Sequence, residues 1–163
     1  MILNQTAEYA LRAAAILASA SPGESLRAST VSERTGIPQH YLSKILRRLV
    51  VAGLIRSQRG QGGGFTLAED PSRITILDVL EATDYRLDPD RCPFGMERCD
   101  DDRPCPMHPV WAPLKKALQA WAAGHTLADM RRDSAGTRVR VLAGPRRGAR
   151  AERSGRGAGA RRH

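Results

Sequence analysis

Residues 31–68, VSERTGIPQHYLSKILRRLVVAGLIRSQRGQGGGFTLA, place three local signals in one run, and few architectures satisfy all three. A short helical segment from about Ala28 to Arg34 runs into Gly36, a helix stop. The next helix starts at Pro38, whose fixed φ and missing N–H suit a first turn. A turn of about four residues between two such helices is the spacing of a helix-turn-helix. On the second helix Tyr41, Leu42, Ile45, Leu46 and Leu49 form the predicted buried face, opposite Gln39, His40, Ser43, Lys44, Arg47 and Arg48. Two alternating runs, Leu54 to Gln58 and Phe65 to Ala68, then flank RGQGGG and predict a β-hairpin. A hairpin directly after a helix-turn-helix is a wing.

The polar residues of this run have the chemistry of nucleic-acid recognition. Gln39 can pair with an adenine edge, and Lys44 or Arg47 with guanine edges or phosphates, while His40 and Ser43 stand on the same side. An ordinary solvated helix face has the same composition, so the hairpin weights the reading toward DNA. At its tip Arg59, Gly60, Gln61 and Gly62 combine a cation suited to the minor groove with glycines that let backbone approach a phosphate closely. The same glycines do not make a nucleotide-binding loop, because no Lys-Ser/Thr pair and no helix follow them.

The flanks read as helices. TAEYALRAAAILASA, Thr6 to Ala20, is expected to be capped by Thr6, to present Leu11, Ala14, Ala15 and Ala18 as one stripe, and to stop before Pro22-Gly23. PSRITILDVLEATD offers Ile74, Leu77, Val79 and Leu80 to the core. PVWAPLKKALQAWAAGHTLADM reads as a helix from near Val110 with Pro113 in its first turn. Its stripe of Val110, Leu114, Ala117, Leu118 and Trp121 fits either core packing or the seam of a dimer.

With 163 residues, 41% of them apolar, the chain has material for one compact unit plus appendages. No stretch approaches the roughly 20 apolar residues of a membrane span, and the start lacks the pattern of a secretory signal, so a cytoplasmic protein is expected. The net charge of +9 is unevenly spread. From Arg131 to His163 there are 11 arginines against Asp133 and Glu152, and the 15 basic and 15 acidic residues before them balance. That Gly-, Ala- and Arg-rich tail is expected to be disordered, either a dispensable extension or a basic arm for phosphate backbones. The charge alone therefore says little about the body.

All three cysteines fall in RCPFGMERCDDDRPCPMHPVW, residues 91–111. Cys92, Cys99, Cys105 and His108 stand as C-x6-C-x5-C-x2-H in a segment broken by Pro93, Pro104, Pro106 and Pro109. Such a loop has no core of its own. In a reducing cytoplasm an odd number of clustered thiols points to metal ligands more than to disulfides. Three thiolates and an imidazole suit zinc or an iron-sulfur cluster, and the spacing leaves both open. The acidic run Asp100 to Asp102 reads as a solvated loop face. Catalysis by Cys105 with His108 as base is disfavoured, because the sequence shows no oxyanion site, substrate pocket or third orienting group for that pair.

The start MILNQTAEYALRAAAILA, the run VSERTGIPQHYLSKILRRLVVAGLIRSQRGQGGGFTLAEDPSRITILDVLEA, the three-cysteine loop and TLADM together resemble the Rrf2 family of bacterial winged-helix transcription regulators, over about residues 1 to 130. The resemblance implies a mainly α fold with a small β-hairpin wing: a winged helix-turn-helix domain over residues 1–85, a cluster-binding loop over 86–109 and a long dimerisation helix over 110–130, followed by the tail 131–163. It further implies a homodimer on palindromic promoter DNA, and with the residue-level readings above neither enzymatic activity nor membrane association is expected. The dimer would set two recognition helices roughly 34 Å apart and would respond to the state of a [2Fe-2S] or [4Fe-4S] cluster, signalling cluster supply, nitric oxide or redox status. Cys92, Cys99 and Cys105 correspond to the family's cysteine ligands. The fourth ligand has two candidates by position: His108, placed like the histidine of the family's iron-sulfur-biogenesis regulator, and Glu8, placed like the carboxylate of its nitric-oxide-sensing branch, which can come from the partner subunit. A winged-helix protein with a structural zinc site is the alternative.

Overall fold

The computed structural model describes residues 3–60, 62–87 and 92–132; Gln61 of the predicted wing tip and residues 133–163 of the tail lie outside the described residues. In chain order the elements are α1 Gln5–Ala18, α2 Ala28–Thr35, α3 Gln39–Val51, β1 Ile55–Gln58, β2 Gly64–Leu67, a 3-10 turn at Pro71–Arg73, α4 Ile76–Glu81, α5 His108–Gly124 and α6 Leu127–Arg132. This is a winged helix-turn-helix, mainly α with one antiparallel two-stranded sheet. Among the described residues no helix is long and apolar enough to cross a membrane.

Asn4, rather than Thr6, caps α1: its side-chain oxygen accepts from the Ala7 N–H at 2.8 Å, and the helix begins earlier than its sequence suggests. The buried face is Ala7, Ala10, Ala13, Ala14, Leu17 and Ala18, so the expected stripe is rotated, with Leu11 and Ala15 only half-buried. The reason is crowding. Four helices, α2, α3, α4 and α6, pack against α1, and its alanines let their backbones come close on several sides.

The helix-turn-helix forms as expected, with a tighter turn. Gly36 closes α2 in the left-handed region at φ 69°, its N–H bonded to Ser32 O. Ile37 follows and is buried in the main core, while Ser32 Oγ donates to Ile37 O at 2.6 Å. Along α3, Leu42, Ile45, Leu46 and Leu49 are buried at the i, i+3, i+4, i+7 positions of one face. Removing each from water contributes about 1.5–3 kcal/mol. Tyr41, predicted with them, is instead 44% exposed, because it sits one residue off that face and turns edge-on to Tyr9 of α1.

The wing pairs Ile55 with Leu67 through Gln58 with Gly64. A third segment joins it: Leu26 and Phe65 exchange backbone hydrogen bonds at 3.0 and 2.8 Å, so the residues before α2 fasten the hairpin to the body. At this crossing a Cβ on Gly64 would lie 2.7 Å from Leu26 O, which is why the strand begins with glycine.

Beyond the wing, Thr75 and Asp78 form a capping box that starts α4. Ile74 and Val79 enter the main core with Leu127 of α6. A second, smaller core gathers Ala7, Ile76, Leu80, Leu87 and Ala122, with Leu77 half-buried at its edge. The segment read as one helix from near Val110 to Met130 is two. It begins at His108, which leaves Pro113 beyond the first turn, and breaks after Gly124, where Thr75 and Thr126 form a β-bridge. There Ile76 N–H donates to His125 O, and Leu127 N–H to Ile74 O, both at 2.9 Å.

Candidate nucleic-acid interface and metal-binding loop

The apolar face of α3 points inward, so Gln39, His40, Ser43, Lys44 and Arg47 are all exposed on the opposite side. Their freedom differs. Ser43 Oγ donates to Gln39 O at 2.8 Å, which leaves its lone pairs as acceptors. His40 stacks obliquely against Tyr41, whose ring also lies 6.0 Å from Lys44 Nζ, a loose cation-π contact. Arg48, read as part of this polar side, serves another purpose: Nη1 donates to Thr83 O at 3.0 Å and stands 3.4 Å from Asp84 Oδ2, fastening the end of α3 to the turn after α4.

On the wing, Arg59, Gly60 and Gly62 are exposed, and Ser25 Oγ donates to Gly62 O at 2.6 Å, steadying the tip from the body. Neither α2 nor α3 has a side-chain cap at its N-terminus, whereas α1 and α4 do. First-turn N–H groups without a side-chain acceptor are natural donors to phosphate oxygens, a feature of the surface that residue types alone did not reveal.

The loop before α5 brings its four predicted ligands together in two pairs. Cys92 Sγ and Cys105 Sγ are 3.9 Å apart, and both residues are buried. Cys99 Sγ lies 3.7 Å from His108 Nδ1, on a histidine that is 9% exposed. The start of α5 aims that histidine, since His108 N–H donates to Cys105 O at 2.9 Å and thereby links the two pairs through backbone. Backbone hydrogen bonding at Phe94, aided by Met96 and Cys105, holds the Cys92 thiol below its ordinary range against the opposing effect of burial. A lowered pKa favours the thiolate that metals bind. Among the described residues no group of three or more His, Cys, Asp and Glu side chains converges on one point, so within the protomer Glu8 joins neither pair. It is engaged instead by the Arg12 guanidinium one turn along α1.

The other face of His108 corrects two expectations. Its Nε2 stands at hydrogen-bond distance, 2.7 Å, from Asp101 Oδ1, so the acidic run is not merely a solvated face, and the imidazole does have an orienting carboxylate. That hydrogen bond, followed by the charges of Lys116 and His108, holds the Asp101 carboxyl below the usual carboxylate range. The thiol beside the imidazole is Cys99, not Cys105. Nothing in residue type marked Asp101 out from Asp100, whose Oδ1 accepts from Asp102 N–H at 2.8 Å in a local turn.

The stripe on α5 faces outward. Val110, Leu114 and Trp121 are 69, 46 and 40% exposed, Ala117 is exposed, and only Leu118 is half-buried. Of the two readings of that stripe, packing within the protomer's own core is thus excluded for most of it. Phe94, Met96 and Met107 of the loop are exposed as well, and the Phe94 ring meets Trp111 of α5 edge-on at 5.8 Å.

The family described as "Rrf2: Iron-dependent Transcriptional regulator" matches residues 3–133. An HTH-type transcriptional regulator of Aquifex aeolicus is 32% identical over 132 residues, spanning 80% of this chain and 91% of that protein. The HTH-type transcriptional regulator IscR of Yersinia pseudotuberculosis is 34% identical over 130 residues, spanning 80% and 79% of the two chains. Among solved structures, T. potens IscR superposes with a TM-score of 0.66 at 25% identity over 83% of this chain and 91% of its own. CymR, the global cysteine regulator of B. subtilis, shares the fold with a TM-score of 0.69 at 23% identity, over 80% and 95% of the two chains.

Proposed function

Since the chain belongs to the Rrf2 family of transcriptional regulators, we propose that it binds operator DNA as a homodimer, under the control of a metal group held by Cys92, Cys99, Cys105 and His108. The observation that carries this reading is the pairing of the donors. Two thiolates on one tetrahedral ion, with bonds of about 2.3 Å, stand roughly 3.8 Å apart, and a thiolate and an imidazole roughly 3.5 Å. The separations of 3.9 and 3.7 Å fit those values within a few tenths of an ångström. Three thiols and one imidazole would suit an iron-sulfur cluster held by Cys92, Cys99, Cys105 and His108, and the same donor types would also suit zinc. When bound, the cluster supplies redox and iron-exchange chemistry. The chain supplies buried thiols at Cys92 and Cys105, the first with its pKa lowered by backbone hydrogen bonds, and one nitrogen at His108.

In this reading residues 1–85 contact DNA, 86–109 hold the metal and 110–130 dimerise. The exposed Val110, Leu114 and Trp121 surface supports the dimer, and it starts at the helix whose first residue is a ligand. A change in the loop therefore reaches the subunit seam directly. Its effect on DNA affinity is limited by how differently the metal binds the two states of the dimer. Purification without oxygen, with iron, zinc and acid-labile sulfide measured per subunit beside the visible spectrum, tests the reading. Iron with matching sulfide is expected; zinc without sulfide would remove the sensing half and leave the DNA-binding half.

The reading surface has its own test. Lys44→Ala and Arg59→Ala are each expected to weaken operator binding on the order of tenfold, with the Lys44 change acting alike on all sequences and lowering the salt slope by about one. Both side chains lie outside the loop, so metal content should not move. Unchanged affinity in a fluorescence-anisotropy titration would displace the interface from this face.

A further inference from the structure

We propose that Asp101 is a positioning residue that selects Nδ1 of His108 as the metal-facing nitrogen. This rests on the reading that the loop holds a metal group, and it concerns how the nitrogen corner is built. A neutral imidazole carries one N–H and one lone pair, and only the lone pair can bind a metal. An ionised carboxylate is acceptor-only. With Asp101 Oδ1 at 2.7 Å from Nε2, the proton belongs on Nε2, and the lone pair falls to Nδ1, the atom 3.7 Å from Cys99 Sγ. Without that acceptor both tautomers are open to the ring, and one of them puts a proton on the ligating atom.

Of the three neighbouring acids, Asp101 is the one that reaches the imidazole. The neighbouring turn, closed by Asp102 N–H on Asp100 Oδ1, uses up Asp100 locally and leaves Asp101 turned toward α5. Asp101 lies two residues past Cys99, so its bond to His108 also ties the Cys99 limb of the loop to the helix start. As a stabilising ion pair the contact would matter little, because the Asp101 side chain is 78% exposed. Its leverage lies on the buried imidazole that it orients, as for outer-sphere carboxylates on metal-bound histidines generally.

The test uses the full chain, wild type and the variants Asp101→Ala, Asp101→Asn and Asp101→Glu, loaded anaerobically with ferrous iron and sulfide. Two quantities are read: the rate of iron release to excess chelator, and the nitrogen hyperfine coupling of the reduced cluster in protein carrying histidine labelled with nitrogen-15 only at Nδ1. Wild type should show strong coupling from the label. Asp101→Ala is expected to release iron about 10- to 100-fold faster and to lose or divide that coupling. Asp101→Asn keeps a neutral acceptor and should retain the coupling with a smaller rate change; Asp101→Glu should lie nearest to wild type. An Asp101→Ala protein with wild-type release and wild-type coupling overturns the proposal, as does a wild-type cluster with an uncoupled label. In both cases the cluster itself still stands. Wild type that takes up no iron and sulfide overturns the metal reading, and this proposal with it.

Discussion

Cys99→Ala is expected to leave the protein unable to retain iron and sulfide, while Glu8→Ala keeps the wild-type content of both. Cys99 is the sulfur of the pair with His108, and its loss leaves that corner a single nitrogen donor. Thiolates dominate the affinity of such sites, so one missing sulfur is enough. The fold should survive, because Cys99 is part of neither hydrophobic core. Glu8 is already engaged by Arg12, so its removal takes away a half-buried i,i+4 ion pair worth on the order of 1 kcal/mol. Iron and sulfide assays beside a thermal melt separate the outcomes. Loss of the cluster in Glu8→Ala would make that carboxylate the fourth ligand, from one subunit or the other. In Cys99→Ala the operator affinity should also stop responding to iron supply, erasing a difference of about 5- to 150-fold typical of coupled sites.

Gly64→Ala should loosen the wing from the body. The added Cβ would stand 2.7 Å from Leu26 O and 2.8 Å from Leu26 C, and both are backbone atoms that cannot rotate away. Relief requires parting the Leu26–Phe65 bridge, whose two hydrogen bonds join the hairpin to the segment before α2. Overpacking of this kind costs about 1–3 kcal/mol. That is a sizeable part of the 5–15 kcal/mol typical of a whole domain. We expect a lower melting temperature together with weakened operator binding, since Arg59 is carried on the displaced hairpin. Gly124→Ala is the control: a Cβ there meets nothing within 4 Å, so stability should hold or rise slightly. Equal melting temperatures for the two variants would mean that the wing bends elsewhere to accept the methyl group.

What could be read from residues and what could not divides along a physical line. Leu42, Ile45, Leu46 and Leu49 were readable because one helical period decides their burial, and Gly36 because a left-handed stop needs glycine. Tyr41 was not, since a residue flanking the apolar face is placed by its neighbour Tyr9 on another helix. Leu26 joins the sheet by a one-residue bridge, which has no periodicity to detect. In the loop, Cys92, Cys99, Cys105 and His108 stood out by type, while their division into two pairs depends on turns that proline and glycine positions do not specify. Asp101 was hidden by its surroundings, as three consecutive acids look like solvation. The break at His125 had a visible signal that the helical reading overrode: Thr126 and Asp129 form the Ser/Thr-x-x-Asp/Glu pattern of a helix start, and Thr126 N–H does donate to Asp129 Oδ2 at 2.8 Å.

That break fixes the mechanics of α5. At its far end the chain is knotted into the DNA-binding core by the Thr75–Thr126 bridge and by fully buried Leu127, while its near end carries His108. A rod held at one end can answer a push at the other only by pivoting. With 17 residues, α5 is about 25 Å long, so a tilt of about 5° at the pivot displaces the loop end by about 2 Å. A shift of that size at the loop end is too small to unfold anything, and along the outward face of the helix it grows with distance from the anchored end.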